Sequence, residues 1–173
     1  MSDFHLAQMN TARLRAPMED PSIRDFAEGI ALMNALADRS PGFVWRLADE
    51  SGDGTIFAPG DPSRIYTLSV WESPEHLRAY AYQSQHLEYL RRRRDWFHPH
   101  GHQAALVLWW IPAGRIPTLR QGISRLGRLR ADGPTPEAFT LRDQFPAPRG
   151  PGFSAPSAGP GAGSSTAPLL SKR

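Results

Sequence analysis

RIYTLSVWESPEHL, residues 64–77, contains the passage on which the fold turns. Its first half alternates, with Ile65, Thr67, Ser69 and Trp71 on one side, as a β-strand requires. Its second half is a helix start. Ser73 stands at the N-cap position and Pro74 at the first helical position, where a missing N–H costs nothing. Strand therefore passes to helix almost without a loop. On the C-terminal side the helical pattern runs toward Phe97, with a break near residues 83–85, and Pro99 and Gly101 end it. AALVLWWIP, residues 104–112, lacks polar alternation and reads as a central strand covered on both faces. A third helix follows Pro117 and Thr118, with Leu119, Ile123, Leu126 and Leu129 at helical spacing and Gly133 beyond its end. AFTLRDQF, residues 138–145, reads as a last strand.

On the N-terminal side, residues 4–13 alternate Phe4, Leu6, Gln8 and Asn10 against His5, Ala7, Met9 and Thr11, which predicts a first strand. Asp20, Pro21 and Ser22 precede a stripe of Ile23, Phe26, Ala27, Ile30, Met33, Asn34 and Ala37, the apolar face of a helix with one amide in it. Ser40, Pro41 and Gly42 stop that helix, and FVWRLAD, residues 43–49, is a second strand. Turn signals stand at residues 50–54 and 60–63.

The order is β-α-β-β-α-β followed by α-β, and its first six elements match a ferredoxin-like split βαβ layout. The predicted class is α+β, an antiparallel sheet with helices on one face. The sheet's other face is apolar, and a second copy of the chain would cover it, closing a dimeric barrel about a two-fold axis. Residues 1–148 form the predicted domain. From residue 149 to 173 Pro, Gly, Ala and Ser prevail, a composition that cannot bury enough apolar surface to offset its ordering entropy, so this segment is expected to be a disordered tail.

Composition closes off several chemistries. The chain has no cysteine, so disulfides, thiolate zinc sites and cysteine nucleophiles are excluded. Net charge is only +3, and the pI of about 9.8 reflects 19 Arg among 20 basic residues; it is weak ground for a nucleic-acid partner. Neither a signal peptide nor an apolar run of membrane-spanning length is evident, so a cytoplasmic location without membrane association is expected. No phosphate-cradling glycine loop, GxSxG elbow or HExxH motif is present.

PGFVWRL (residues 41–47), SVWESPEHL (69–77), SxxHxxxxRRRRxWF (84–97), LVLWWIPAG (106–114) and GPTPEAFTLRDQF (133–145) together resemble a bacterial family known only as a domain of unknown function. That family belongs to the dimeric α+β barrel superfamily and is related to antibiotic-biosynthesis monooxygenases. The resemblance implies a monooxygenase-like barrel domain over residues 1–148. It also implies a homodimer and a small-molecule substrate of natural-product type, handled without a tightly bound cofactor. The superfamily also contains haem degraders, decarboxylases, isomerases, cyclases and proteins with no known activity, so fold alone does not choose a reaction.

The residues themselves point to one region. Tyr82, His86, Tyr89, Arg93 and Trp96 or Phe97 recur at three- and four-residue steps and would share one helix face. On the sheet opposite, Asn10, Arg46 and Trp71 would meet it, with Trp45 nearby. An aromatic-lined pocket of this kind suits a planar, oxygen-bearing compound. His86, Arg93 and Asn10 are the catalytic candidates. Imidazole moves a proton near neutral pH, guanidinium holds a phenolate or carboxylate, and a buried amide orients. Trp71, Tyr82, Tyr89, Trp96, Arg46 and Trp45 are the candidate substrate-binding residues. The bland readings are a satisfied core histidine and ordinary core aromatics, with at least two of Arg91 to Arg94 on a solvated face. The functional alternatives are a haem-binding protein with His86 on the iron and a non-catalytic ligand-binding module. His98, His100 and His102 alternate, yet Pro99 and Gly101 between them suggest a loop, and no metal is assigned.

Removing residues 149–173 is expected to leave the domain's melting temperature within a few degrees of the full chain. A larger fall in a thermal melt would show that the tail docks.

Overall fold

The computed structural model describes residues 3–48 and 54–148. Its elements are β1 (Phe4–Arg13), α1 (Arg24–Asp38), β2 (Phe43–Arg46), β3 (Ile56–Ala58), β4 (Asp61–Trp71), α2 (Pro74–Gln83), α3 (His86–Trp96), β5 (Leu106–Pro112) and α4 (Leu119–Asp132). The sheet order is β2-β4-β1-β5, with β3 paired to β4, and each pairing is antiparallel. This is the strand order of a ferredoxin-like α+β fold. β2 and β3 take successive stretches of the same outer edge of β4, from Trp71 to Ser69 and from Tyr66 to Asp61.

β1 sits between β4 and β5, and its alternation divides the molecule. Leu6 pairs with Trp71 and with Trp110, and together with Leu108 they face α1 and α2 through Ala37 and Leu77. Ala7 and Met9 project the other way, among Leu68, Val70, Val107 and Trp109, and meet Leu126 and Leu129 of α4. A third cluster, with Ile23, Ile65 and Trp96, closes the end at which Arg13 leaves the sheet.

The helices start and stop for local reasons. The Ser73 Oγ accepts the His76 N–H at 3.4 Å, and Pro74 opens α2. At α4, Thr118 and Gln121 form a reciprocal capping box, and Gly133 ends the helix at φ +78°. Gly42, at φ +70°, lets the start of β2 run against α2, since a Cβ there would overlap the His76 imidazole. The predicted break near residues 83–85 is real. Ser84 takes an extended conformation, its hydroxyl bonds back to the Tyr80 carbonyl, and its Oγ accepts the His86 N–H at 3.1 Å. One serine thereby ends α2 and opens α3.

Four expectations need correction. The third strand begins earlier, at Asp61, and a short β3 pairs with it between the two turn signals, where no element was read. The second strand ends at Arg46, and the turn predicted over residues 50–54 falls mostly outside the described residues, as does the 149–173 tail. The strand over residues 104–112 is covered on both faces but lies at the edge of the sheet. Residues 138–145 do not form a strand: Phe139 makes one bridge to Leu108, and then Thr140 folds the chain away. The Thr140 Oγ1 accepts the N–H groups of Arg142 and Asp143 at 3.2 and 3.0 Å, a side-chain turn that competes with the ladder. The segment still seals the core, because the Trp110 Nε1 donates to the Phe145 carbonyl at 2.8 Å.

The sheet's second face is not left bare for a partner. The split βαβ helices lie on one face, but α4 covers β1 and β5 on the other, with Gly122 against Met9. Ile123, read as part of its buried stripe, is 43% exposed, so α4 docks through Gly122, Leu126 and Leu129. Among the described residues no helix is long and apolar enough to cross a membrane.

Candidate active site around Tyr80 and His86

Three rings form a column on the α1/α2 face of the sheet. The Trp71 indole stacks on Tyr80 with centroids 5.1 Å apart and planes at 29°, and Tyr80 in turn meets the His86 imidazole at 4.7 Å. Trp71 is fully buried, and its Nε1 donates to the Ser69 Oγ at 2.9 Å, which donates to the Gln8 Oε1 at 2.7 Å. That chain fixes the ring at the base of the column.

The far side of Tyr80 is polar. Its hydroxyl donates to the Met33 carbonyl at 3.3 Å, and Arg46 and Asp38 act on its charge. Arg46 holds Asp38 through two parallel bonds, Nε to Oδ1 at 2.8 Å and Nη2 to Oδ2 at 3.2 Å. Asn34 and Arg46 both lie close to Gly54, where a Cβ would be 3.3 Å from the Asn34 Oδ1 and 3.5 Å from the Arg46 Nη1. Burial pushes the Tyr80 phenol up to about 12, so it keeps its proton and acts as a donor.

His86 is half-buried, and its Nδ1 faces the Ala81 carbonyl at 3.4 Å. A proton on Nδ1 satisfies that carbonyl and leaves the lone pair on Nε2. Burial lowers the imidazole below its ordinary value near 6.5, so the ring is neutral at pH 7 and able to accept a proton.

The expected face of five residues is split by the break at Ser84. Tyr82 is 53% exposed and does not join His86. Tyr89 and Trp96 do turn inward, but into the third core cluster: Tyr89 lies against Gly29 of α1, and Trp96, fully buried, meets Phe26 at 5.8 Å. Arg93 is exposed and donates to the carbonyl of Leu90 in its own helix at 2.8 Å, so it does not reach a pocket; Arg91, Arg92 and Arg94 are exposed as well. Phe97 packs on Phe26 at 4.9 Å. Trp71 is too deeply buried to be a substrate platform, and it supports Tyr80 instead. Trp45 pairs with Val70 and sits on the α4 face, away from the column, because an irregularity between Phe43 and Trp45 reverses its side. Asn10 lies on the column's face of β1, half-buried, and its amide makes no hydrogen bond among the described residues. Arg46 pairs with Asp38 and lies near the phenol of Tyr80, a residue outside the helix face it was expected to meet.

Tyr80 and Asp38 escaped sequence reading. Tyr80 and His86 are six residues apart, about 120° around a continuous helix, and only the reset of phase at Ser84 brings them together. An Arg46–Asp38 pair was in principle findable, since a helix end and the next strand lie side by side. Among the described residues no group of three or more His, Asp or Glu side chains could hold a metal ion.

The lowered pKa of His86 makes a testable link between pH and stability. As pH falls, the unfolded chain takes up the proton first, so stability is complete above about 6.5 and is lost on descending through that value. His100 shifts in the same direction and remains in a His86→Gln protein as the background. Urea melts from about pH 7 to about pH 5 should show a steeper loss for the wild type than for His86→Gln. Parallel curves would mean that His86 is not desolvated.

The structure is similar to that of PA3566 from Pseudomonas aeruginosa, at 14% identity and a TM-score of 0.46, covering 68% of this chain and 98% of that one. It is similar to SnoaB, a cofactor-independent oxygenase from Streptomyces nogalater, at 16% identity and a TM-score of 0.45, covering 68% and 98%. NE2512, a protein of unknown function from Nitrosomonas europaea, matches at 13% identity and a TM-score of 0.43, covering 67% and 97%. No curated protein matches the chain. A family described as a domain of unknown function (DUF3291) matches residues 5–153, nearly the whole of the described chain, and this protein belongs to that family.

Proposed function

We propose that this chain is a small-molecule enzyme that removes a proton from an aromatic or polyketide-like compound, in monooxygenase-like or cyclase/isomerase chemistry of natural-product type. The observation that carries the reading is His86: a half-buried imidazole with Nδ1 at 3.4 Å from the Ala81 carbonyl and its ring tilted against the Tyr80 phenol at 4.7 Å, an environment whose burial favours the neutral form of both groups. In the proposed step a substrate C–H or O–H proton passes to Nε2, and the electron pair moves onto a substrate oxygen as an enolate or phenolate. The positive charge of Arg46, which acts on the Tyr80 phenol, favours that oxyanion in this reading, and Asn10 is assigned to orient the substrate from the sheet. Trp71 is a positioning residue that acts through Tyr80. No organic cofactor is invoked for this step.

His86→Ala should lower kcat by about 10²-fold or more, the usual scale for losing a general acid or base, and shift stability by only about 1 kcal/mol. Substrate candidates come from compounds made by neighbouring genes, with oxygen uptake recorded beside product formation. Near-normal turnover in a well-folded His86→Ala protein would remove His86 from the mechanism. A Soret band in the purified protein, lost in the variant, would replace the reading with haem ligation by the same Nε2. Binding of such a compound without turnover would make the chain a ligand-binding module.

A homodimer belongs to the same proposal, on narrower ground than a bare sheet face. α4 covers β1 and β5, while Trp45, Leu47 and Tyr66 on the β2/β4 part of that face are only half-buried, and Val44 beside them is 39% exposed. A second copy would complete that cover. Light scattering should give twice the 19.2 kDa chain mass at micromolar concentration, and a monomer would refute it.

A further inference from the structure

The end of the sheet remote from Trp71 carries a second feature. Arg13 lies seven residues along β1 from Leu6, roughly 23 Å at the rise of a strand. There a cleft of about 550 Å³ opens between the ends of β1 and β4, the loop after α3 and the last turn of α4. Arg13, Arg15, Arg64, Arg130, His98 and His100 line it.

The arrangement gathers like charges, with Arg13, Arg15 and Arg130 exposed to solvent. Arg13 and Arg64 are direct cross-strand partners, and like charges in that relation destabilise a sheet. Asp61 is the acidic side chain beside them, 3.5 Å from the Arg64 Nε, and it also accepts from the N–H and hydroxyl of Ser63. The other guanidiniums are fixed at Nε by neutral acceptors: Arg13 by the Ser63 Oγ at 3.1 Å, Arg15 by the carbonyls of Arg94 and Phe97 at 2.9 and 3.1 Å, and Arg130 by the Ala104 carbonyl at 2.9 Å. Among the described residues none of the four has a partner at its terminal nitrogens. The forks are therefore held by one edge with the donors that suit an oxyanion unused. Burial, with Arg130 and Arg64 close by, lowers the His100 pKa, as an electropositive cleft requires.

We propose that this cleft binds the phosphate group of a small molecule. A carboxylate would neutralise one of four guanidiniums, whereas a phosphate dianion answers two and offers oxygens to several forks at once. The convergence of the four arginines in one cleft favours a compact phosphorylated compound over a nucleic-acid strand, which needs a stripe. This site is separate from the Tyr80–His86 column and stands or falls independently of it.

Calorimetry of the full chain at low salt, with inorganic phosphate and with phenyl phosphate as probes, tests the proposal. Phosphate should bind with a Kd below about 10 mM, and tighter binding of phenyl phosphate would identify an organic phosphate as the occupant. Arg64→Gln and Arg130→Gln should each weaken binding about tenfold or more. Arg91→Gln changes net charge equally but stands on the exposed side of α3, bonded to Glu88, and should leave binding unchanged. Arg64→Gln keeps the test open if Arg130→Gln fails to fold, since Arg130 also ties down Ala104. Absence of phosphate binding below about 10 mM, or equal weakening by Arg91→Gln, would overturn the site. So would a single-stranded oligonucleotide that binds with a steep salt dependence and is not displaced by phenyl phosphate.

Discussion

Everything in this molecule depends on β1 being paired along both of its edges. Its positions from Leu6 to Asn10 are held between β4 and β5, so residues met at the start of the chain wait for partners about sixty and about a hundred positions later. Because side chains alternate, the register also assigns Leu6 and Gln8 to one core and Ala7 and Met9 to the other. A slip of one residue would drive Gln8 among the apolar residues under α4 and separate it from the Ser69 hydroxyl. The polar chain from Gln8 through Ser69 to Trp71 is thus a consequence of register, and the aromatic column stands on it.

The column also depends on a helix that fails to continue. If α2 ran on through Ser84, Tyr80 and His86 would point to different sides, and the imidazole could not meet the phenol. The Ser84 hydroxyl closes α2 on the Tyr80 carbonyl and accepts the His86 N–H, while the Ser84 carbonyl accepts that of Leu87, so the break is satisfied and need not fray. The same break sends Tyr82 to solvent while Tyr89 and Trp96 pack on α1 through Gly29 and Phe26. One serine therefore separates what would have been a single face into a site and a core.

The charged residues follow a comparable division. Arg91 to Arg94 look like the strongest basic feature of the sequence, yet they sit on the exposed surface of α3, where Arg91 pairs with Glu88 and Arg92 with Asp25 and Asp95. Pairs of this kind contribute little to stability. The arginines with unused donors, Arg13, Arg15, Arg64 and Arg130, are scattered over the chain and are gathered only where β1, β4 and α4 end together.

Apart from β3 and the C-terminal segment, the order of elements was legible in the sequence, because alternation in residues 4–13 and 64–71, the Ser73-Pro74 start and the Thr118 cap are local signals with local causes. The stop at Ser84, foreseen as a break, was legible for the same reason. His86 could be singled out, but its neighbours could not. Tyr80, Asp38 and Gln8 became part of the site through a change of helical phase, an antiparallel register and the turn from α1 into β2, none of which periodicity within one segment encodes. The failure of residues 138–145 to become a strand has a similar origin: their alternation favours one, but the Thr140 turn withdraws the chain after a single bridge. The cover of the second sheet face was decided by tertiary packing too, since helical spacing marks Leu126 and Leu129 as buried without saying which surface buries them. Local hydrogen bonding and side-chain period act within a few residues and can be read in order. Which side chains share a pocket depends on pairings across the whole chain, and those exist only in the folded state.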